Sequence, residues 1–110
     1  MTITLNHFLV LSALLFCLGL YGALAKRNAV AILMGIELMF NAVNVALVAF
    51  SRFGGPATVA GQPVLLAGQA FVVFILTVAA AEAALGLAII FAIYRRRETI
   101  DADRLNLLKW

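Results

Sequence analysis

Two carboxylates stand where a carboxylate is hardest to keep. Glu37 and Glu82 each lie inside a long apolar run, whereas the other three acids, Glu98, Asp101 and Asp103, follow the last run. A charged side chain at the centre of a membrane helix costs about 2.5–3.5 kcal/mol on insertion scales. No Lys or Arg lies inside the runs to offset that cost. A low dielectric disfavours the charged form of a carboxyl group, so a membrane acid of this kind can take up and release protons. Two such groups held close together titrate as a coupled pair. Lateral proton relay, through water and neighbouring polar groups, is the chemistry these residues support.

Their depths can be read from the basic residues that end each run. Glu37 lies ten positions beyond Arg27, about 15 Å along a helix axis, and Glu82 thirteen positions before Arg95, about 19–20 Å. Both sit near mid-bilayer and within about 5 Å of each other in depth. The spacing leaves open whether they face each other or neighbouring subunits. Asn41 and Asn44, four and seven positions after Glu37, fall on the same helical face. They either glue helices together or hydrate a proton path. Around Glu82 the run Ala79-Ala80-Ala81-Glu82-Ala83-Ala84-Leu85-Gly86 offers small residues that let another helix approach.

Three elements must carry these residues. Apolar runs cover about 5–25, 29–50 and 64–94, each long enough for a helix across a hydrocarbon core of about 30 Å. The expected fold is all-α: one integral membrane domain over 1–110, with an outer loop at 51–63 and a tail at 95–110. The third run exceeds the core thickness and must tilt, protrude or start nearer Gln69. Ala23-Leu24-Ala25 looks like a leader-cleavage site, but Met1-Thr2-Ile3-Thr4 lacks a basic segment and Lys26-Arg27 follow the run. The first run therefore reads as a retained helix. Gly54-Gly55-Pro56 and Gly61-Gln62-Pro63 read as turns. The tail mixes charged and apolar residues and could lie along the interface or dock on a partner. His7, Gln69 and Thr77 carry little signal, His7 reading as an interfacial residue.

Composition narrows the class. Of 110 residues 65% are hydrophobic and 12% charged, with a mean hydropathy of +1.11. Soluble proteins are about 45–50% apolar and about 25% charged, so soluble enzymes, nucleic-acid binders and secreted disulfide scaffolds are excluded. The net charge of +3 belongs to helix ends rather than to a nucleic-acid patch. Lys26 and Arg27 fill the first connection, and Arg95, Arg96, Arg97, Arg104 and Lys109 follow the third span; only Arg52 lies on the opposite side. The positive-inside rule then puts the N-terminus outside and the C-terminus in the cytoplasm. Cys17 is the single cysteine and reads as a packing residue, with no intrachain disulfide and no metal cluster on offer.

Three ordered blocks carry a resemblance: Lys26-Arg27-Asn28, Gly35-Ile36-Glu37-Leu38-Met39-Phe40-Asn41-Ala42, and Ala79 through Ala88. Together they resemble the NuoK-type (4L-type) membrane subunit of respiratory complex I, the proton-pumping NADH:quinone oxidoreductase, over nearly the whole chain. The tail from Thr99 to Trp110 is most similar to the cyanobacterial and chloroplast branch. The resemblance implies three membrane helices packed between a J-type and an antiporter-like N-type subunit in a lipid bilayer. It implies proton transfer through the glutamates matching Glu37 and Glu82, and a basic cytoplasmic loop matching Lys26 and Arg27, with Lys where Arg is more frequent. Quinone, flavin and iron–sulfur clusters are expected in other subunits, and no cofactor or metal on this chain. The expected location is the bacterial plasma (inner) membrane, or alternatively the thylakoid. The outer loop around Gly54–Gln62 is longer than usual for the family.

Three rivals remain. A C-type subunit of a multisubunit sodium/proton antiporter has similar length and span number. A small multidrug exporter would have four helices and its key acid in the first span, which here holds none. A purely structural assembly subunit would use the acids only for packing.

Overall fold

The computed structural model describes residues 2–54, 57–59, 62–64 and 67–105. Three helices dominate: α1 (Leu5–Ala25), α2 (Ala29–Phe53) and α3 (Ala67–Arg97). All three are long and apolar enough to cross a membrane. A two-stranded antiparallel hairpin, β1 (Ala57–Val59) and β2 (Gln62–Val64), pairs Ala57 with Val64 and Val59 with Gln62. The outer loop read as turns alone therefore contains strand pairing. Gly55, Pro56 and Gly61, on which the turn readings rest in part, lie outside the described residues, as does the tail from Asn106 to Trp110.

Local chemistry explains the helix limits. Asn28 ends the first connection, and its Oδ1 accepts hydrogen bonds from the backbone N–H of Val30 (2.9 Å) and Ala31 (3.4 Å), satisfying two donors that a helix start leaves free. At the other end α2 runs three residues past Phe50. Nothing between Ser51 and Phe53 breaks a helix, and the Gly54 N–H closes the last turn onto the Phe50 carbonyl at 2.8 Å. α3 begins at Ala67, not Val64, because Gln62, Pro63 and Val64 are taken up in β2. His7 serves the start of α1: its Nδ1 accepts the Thr4 N–H at 3.1 Å.

α2 is the central helix, packing extensively on α1 and more sparsely on α3. α1 and α2 cross with backbones nearly touching. A Cβ added to Gly19 would lie 2.6 Å from the Gly35 carbonyl oxygen, and one on Gly35 would lie 2.7 Å from the Ala23 nitrogen. The buried Ser12 hydroxyl donates to the Ala42 carbonyl of α2 at 2.6 Å. Between α2 and α3 the tightest approach is Gly86, where a Cβ would meet Leu33 Cδ1 at 3.0 Å. Few side chains are buried, and large apolar residues such as Leu18, Met34, Phe74, Leu85 and Phe91 face outward on all three helices. That surface suits lipid and partner helices.

Candidate functional site

The Leu33–Gly86 contact fixes a level. α2 and α3 run in opposite directions, and Glu37 and Glu82 each lie four residues, about 6 Å, beyond it toward the α2–α3 connection. The two residues are thus at comparable levels along the helix pair. They are not turned the same way. Glu37 is half-buried in a groove of about 430 Å³, lined by Leu33, Leu38 and Asn41 of α2 and Ala83 and Leu87 of α3. Its Oε1 is enclosed and has no hydrogen-bond partner. Glu82 is exposed on the flank of α3, beside the α2-facing stripe of Val72, Ala79 and Gly86. No hydrogen bond or ion pair joins the two acids among the described residues.

The polar stripe of α2 continues outward. Asn41 is exposed and borders both the Glu37 groove and a second, larger one toward the α2–α3 connection. Asn44 lines that second groove, only 7% exposed, with both amide atoms unpartnered. Phe8, Val48, Arg52 and Leu76 contribute to the same walls. Three of the four polar side chains expected to act together, Glu37, Asn41 and Asn44, therefore line two neighbouring grooves on α2 that both border Asn41. The fourth, Glu82, meets them only in level.

The basic pair divides as well. Lys26 is exposed, whereas Arg27 Nε pairs with Asp103 Oδ2 at 3.1 Å, both side chains largely in solvent at 78% and 65% exposure. The tail does not merely extend along an interface: it returns to the α1–α2 connection of its own chain. The Ala29 N–H donates to Ile100 O at 2.8 Å and the Ala102 N–H to Arg27 O at 2.7 Å. Sequence reasoning passed over Ser12, Gly19, Gly35 and this return. Ser12 was the most legible of them, a hydroxyl in an apolar run. Thr77 is satisfied within its own helix, donating to Val73 O at 2.9 Å. Among the described residues no three His, Cys, Asp or Glu side chains gather as metal ligands.

Three apolar helices with polar groups opening onto their own outer surface define a small integral membrane subunit of a larger assembly. The family model for NADH-ubiquinone/plastoquinone oxidoreductase chain 4L matches residues 7–110, and the chain belongs to that family. The NAD(P)H-quinone oxidoreductase subunit 4L of Nostoc sp. is 55% identical over 106 residues, 96% of this chain and 98% of the relative. The subunit of the same name from Synechocystis sp. is 51% identical over the full length of both. NADH-quinone oxidoreductase subunit K of Brevibacillus brevis is 52% identical over 109 residues, 99% of each. The resemblance read from the three sequence blocks holds, cyanobacterial relatives included. The chain is one subunit of an oxidoreductase complex.

Proposed function

We propose that this chain is a proton-translocating membrane subunit of a complex I-like NADH:quinone oxidoreductase, with Glu37 and Glu82 as stations of a lateral proton relay. The observation that carries the reading is Glu37 Oε1, enclosed without a partner in the α2–α3 groove, on a residue that lies four positions from the Leu33–Gly86 contact just as Glu82 does. An enclosed carboxyl oxygen without a partner is costly to keep, and proton transfer accounts for its retention. Asn41 and Asn44 extend the polar surface along which water or partner side chains continue the path. Glu82, turned outward, exchanges protons with the next subunit. The N-terminus lies outside and the basic connection and tail lie in the cytoplasm. A J-type subunit and an antiporter-like N-type subunit flank the chain in the bacterial plasma membrane, or alternatively in the thylakoid. Redox cofactors sit in other subunits. The family match favours this reading over the C-type antiporter subunit, and co-purification with quinone-reductase subunits rather than antiporter subunits alone separates the two.

The test replaces titration while keeping shape. Glu37→Gln abolishes most coupled proton pumping while the complex still assembles, and Glu82→Gln weakens it. The readout is the proton-to-electron ratio of membrane vesicles driven by NADH. A normal ratio in both single variants and in the double variant refutes the relay.

A further inference from the structure

α3 is longer than the helix it packs on. With Leu33 level with Gly86, Ala29 at the start of α2 is level with Ile90, and α3 continues seven residues, about 10 Å, further to Arg97. The chain then turns back. Glu98 adopts the left-handed conformation, with φ 54°, while its N–H closes onto the Tyr94 carbonyl at 2.7 Å. Thr99 Oγ1 accepts the Asp101 N–H at 3.1 Å, and Asp101 Oδ1 accepts the Asp103 N–H at 3.0 Å. Held in this shape, the return segment meets the α1–α2 connection through Ile100, Ala102 and Asp103, as described above.

Between α2 and α3 themselves, no hydrogen bond is formed among the described residues. The contact is made of Leu33, Ala79, Ala83, Gly86 and similar small or aliphatic groups. Such a surface gives shape but weak longitudinal register, because one helical turn of slip, about 5.4 Å, presents a similar surface again. A slip of that size would take Glu82 off the level of Glu37. The polar attachment that resists it is the return segment, whose two backbone hydrogen bonds tie the end of α3 to the start of α2.

We propose that Thr99–Leu105 is a clasp that sets the level of Glu82 against Glu37, with the Ala102 peptide N–H and the Arg27–Asp103 pair as its positioning groups. The inference rests on the relay reading, and Arg27 acts here by holding α3 rather than by touching the proton path. The exposed ion pair contributes less than the two backbone bonds, since solvated pairs are weak.

The decisive variant is Ala102→Pro in the assembled complex. It removes the one N–H that reaches the Arg27 carbonyl. The preceding Asp101 is already extended, at φ −76° and ψ 115°, so proline fits the backbone. Ala102→Ser keeps the N–H and serves as control. Spin labels at Arg52 and Gln69, both exposed at the other end of the α2–α3 pair, report the register in a Cys17→Ser background. Ala102→Pro shifts or broadens the label distance by up to one turn, roughly 5 Å. It lowers coupled pumping by about tenfold, as expected when reacting groups are misplaced by ångströms, while ionophore-released electron transfer persists. Ala102→Ser leaves both at the parental values. An unchanged label distance in Ala102→Pro overturns the clasp. A shifted distance with normal pumping, in a complex where Glu37→Gln abolishes pumping, overturns the positioning role and leaves the relay standing. Normal pumping in the glutamate variants overturns the relay, and the label distance then still decides whether the clasp sets register.

Discussion

The α1–α2 crossing makes a sharp prediction, because two glycines on one helix face very different neighbours. A Cβ on Gly19 would lie 2.6 Å from the Gly35 carbonyl oxygen and 2.9 Å from the Met39 nitrogen, both backbone atoms. The Met39 side chain, 2.8 Å away, can swing aside, but the backbone cannot. Restoring an ordinary contact of 3.4 Å requires the helices to part by about 0.8 Å locally. Three positions on, a Cβ on Gly22 would meet its nearest neighbour, Gly35 Cα, at an ordinary 3.8 Å. Overpacking costs about 1–3 kcal/mol, and rigid neighbours put Gly19→Ala at the upper end. Better helix propensity returns nearly 1 kcal/mol. The net loss is about 2 kcal/mol, roughly a thirtyfold shift in the packing equilibrium, whereas Gly22→Ala keeps the propensity gain and is neutral or mildly stabilising. Retention of this subunit in the purified complex during a detergent or temperature series measures both. Equal losses, or a greater loss for Gly22→Ala, would refute the crossing geometry.

Two further substitutions probe single contacts. Ser12→Ala removes the hydroxyl that donates to the Ala42 carbonyl; in a membrane such bonds average about 0.6 kcal/mol and reach about 1.7, so the same retention series shows a modest loss that Ser12→Thr partly avoids. Glu98→Gly relieves a left-handed backbone that costs a non-glycine residue about 1–2 kcal/mol, so hydrogen exchange at Ala29 and Ala102 slows; faster exchange there contradicts the return turn.

Polarity made part of this molecule legible. The apolar runs located the three helices, while the capping of α2 by Asn28 emerged only from the structure. Glu37 and Glu82 stood out as the only ionised residue types inside the runs. What a sequence of this kind hides is direction. α3 is apolar on every side, so no periodic stripe announces which face meets α2, and the outward turn of Glu82 had no signal. The Gly19–Gly35 approach depends on two glycines on different helices, and neither is distinctive alone. The tail's return was hidden for a different reason. It needs Glu98, a residue type that seldom turns left-handed, and pairs Arg27 with a partner at the far end of the chain. The hairpin rests on two three-residue strands in a glycine- and proline-rich loop, too short for alternation to show.

The opposite attitudes of the two glutamates bear on why the chain is a subunit at all. Each membrane carboxylate costs about 2.5–3.5 kcal/mol, so the pair costs roughly 5–7 kcal/mol, comparable to the stability of an entire small domain. Among the described residues nothing in the three helices offsets it: the Glu37 Oε1 is enclosed without a partner, both Asn44 amide atoms likewise, and Glu82 looks outward. Lipid tails cannot supply hydrogen bonds. The compensation has to come from polar groups or water held by neighbouring helices, which makes assembly and function one requirement. A neighbour that satisfies Glu82 also connects it, and a groove that admits water to Glu37 also opens a path for a proton. An isolated chain would carry the full penalty with no relay to show for it, whereas on the relay proposed above the same two residues, inside the complex, are the points where protons cross from one subunit to the next.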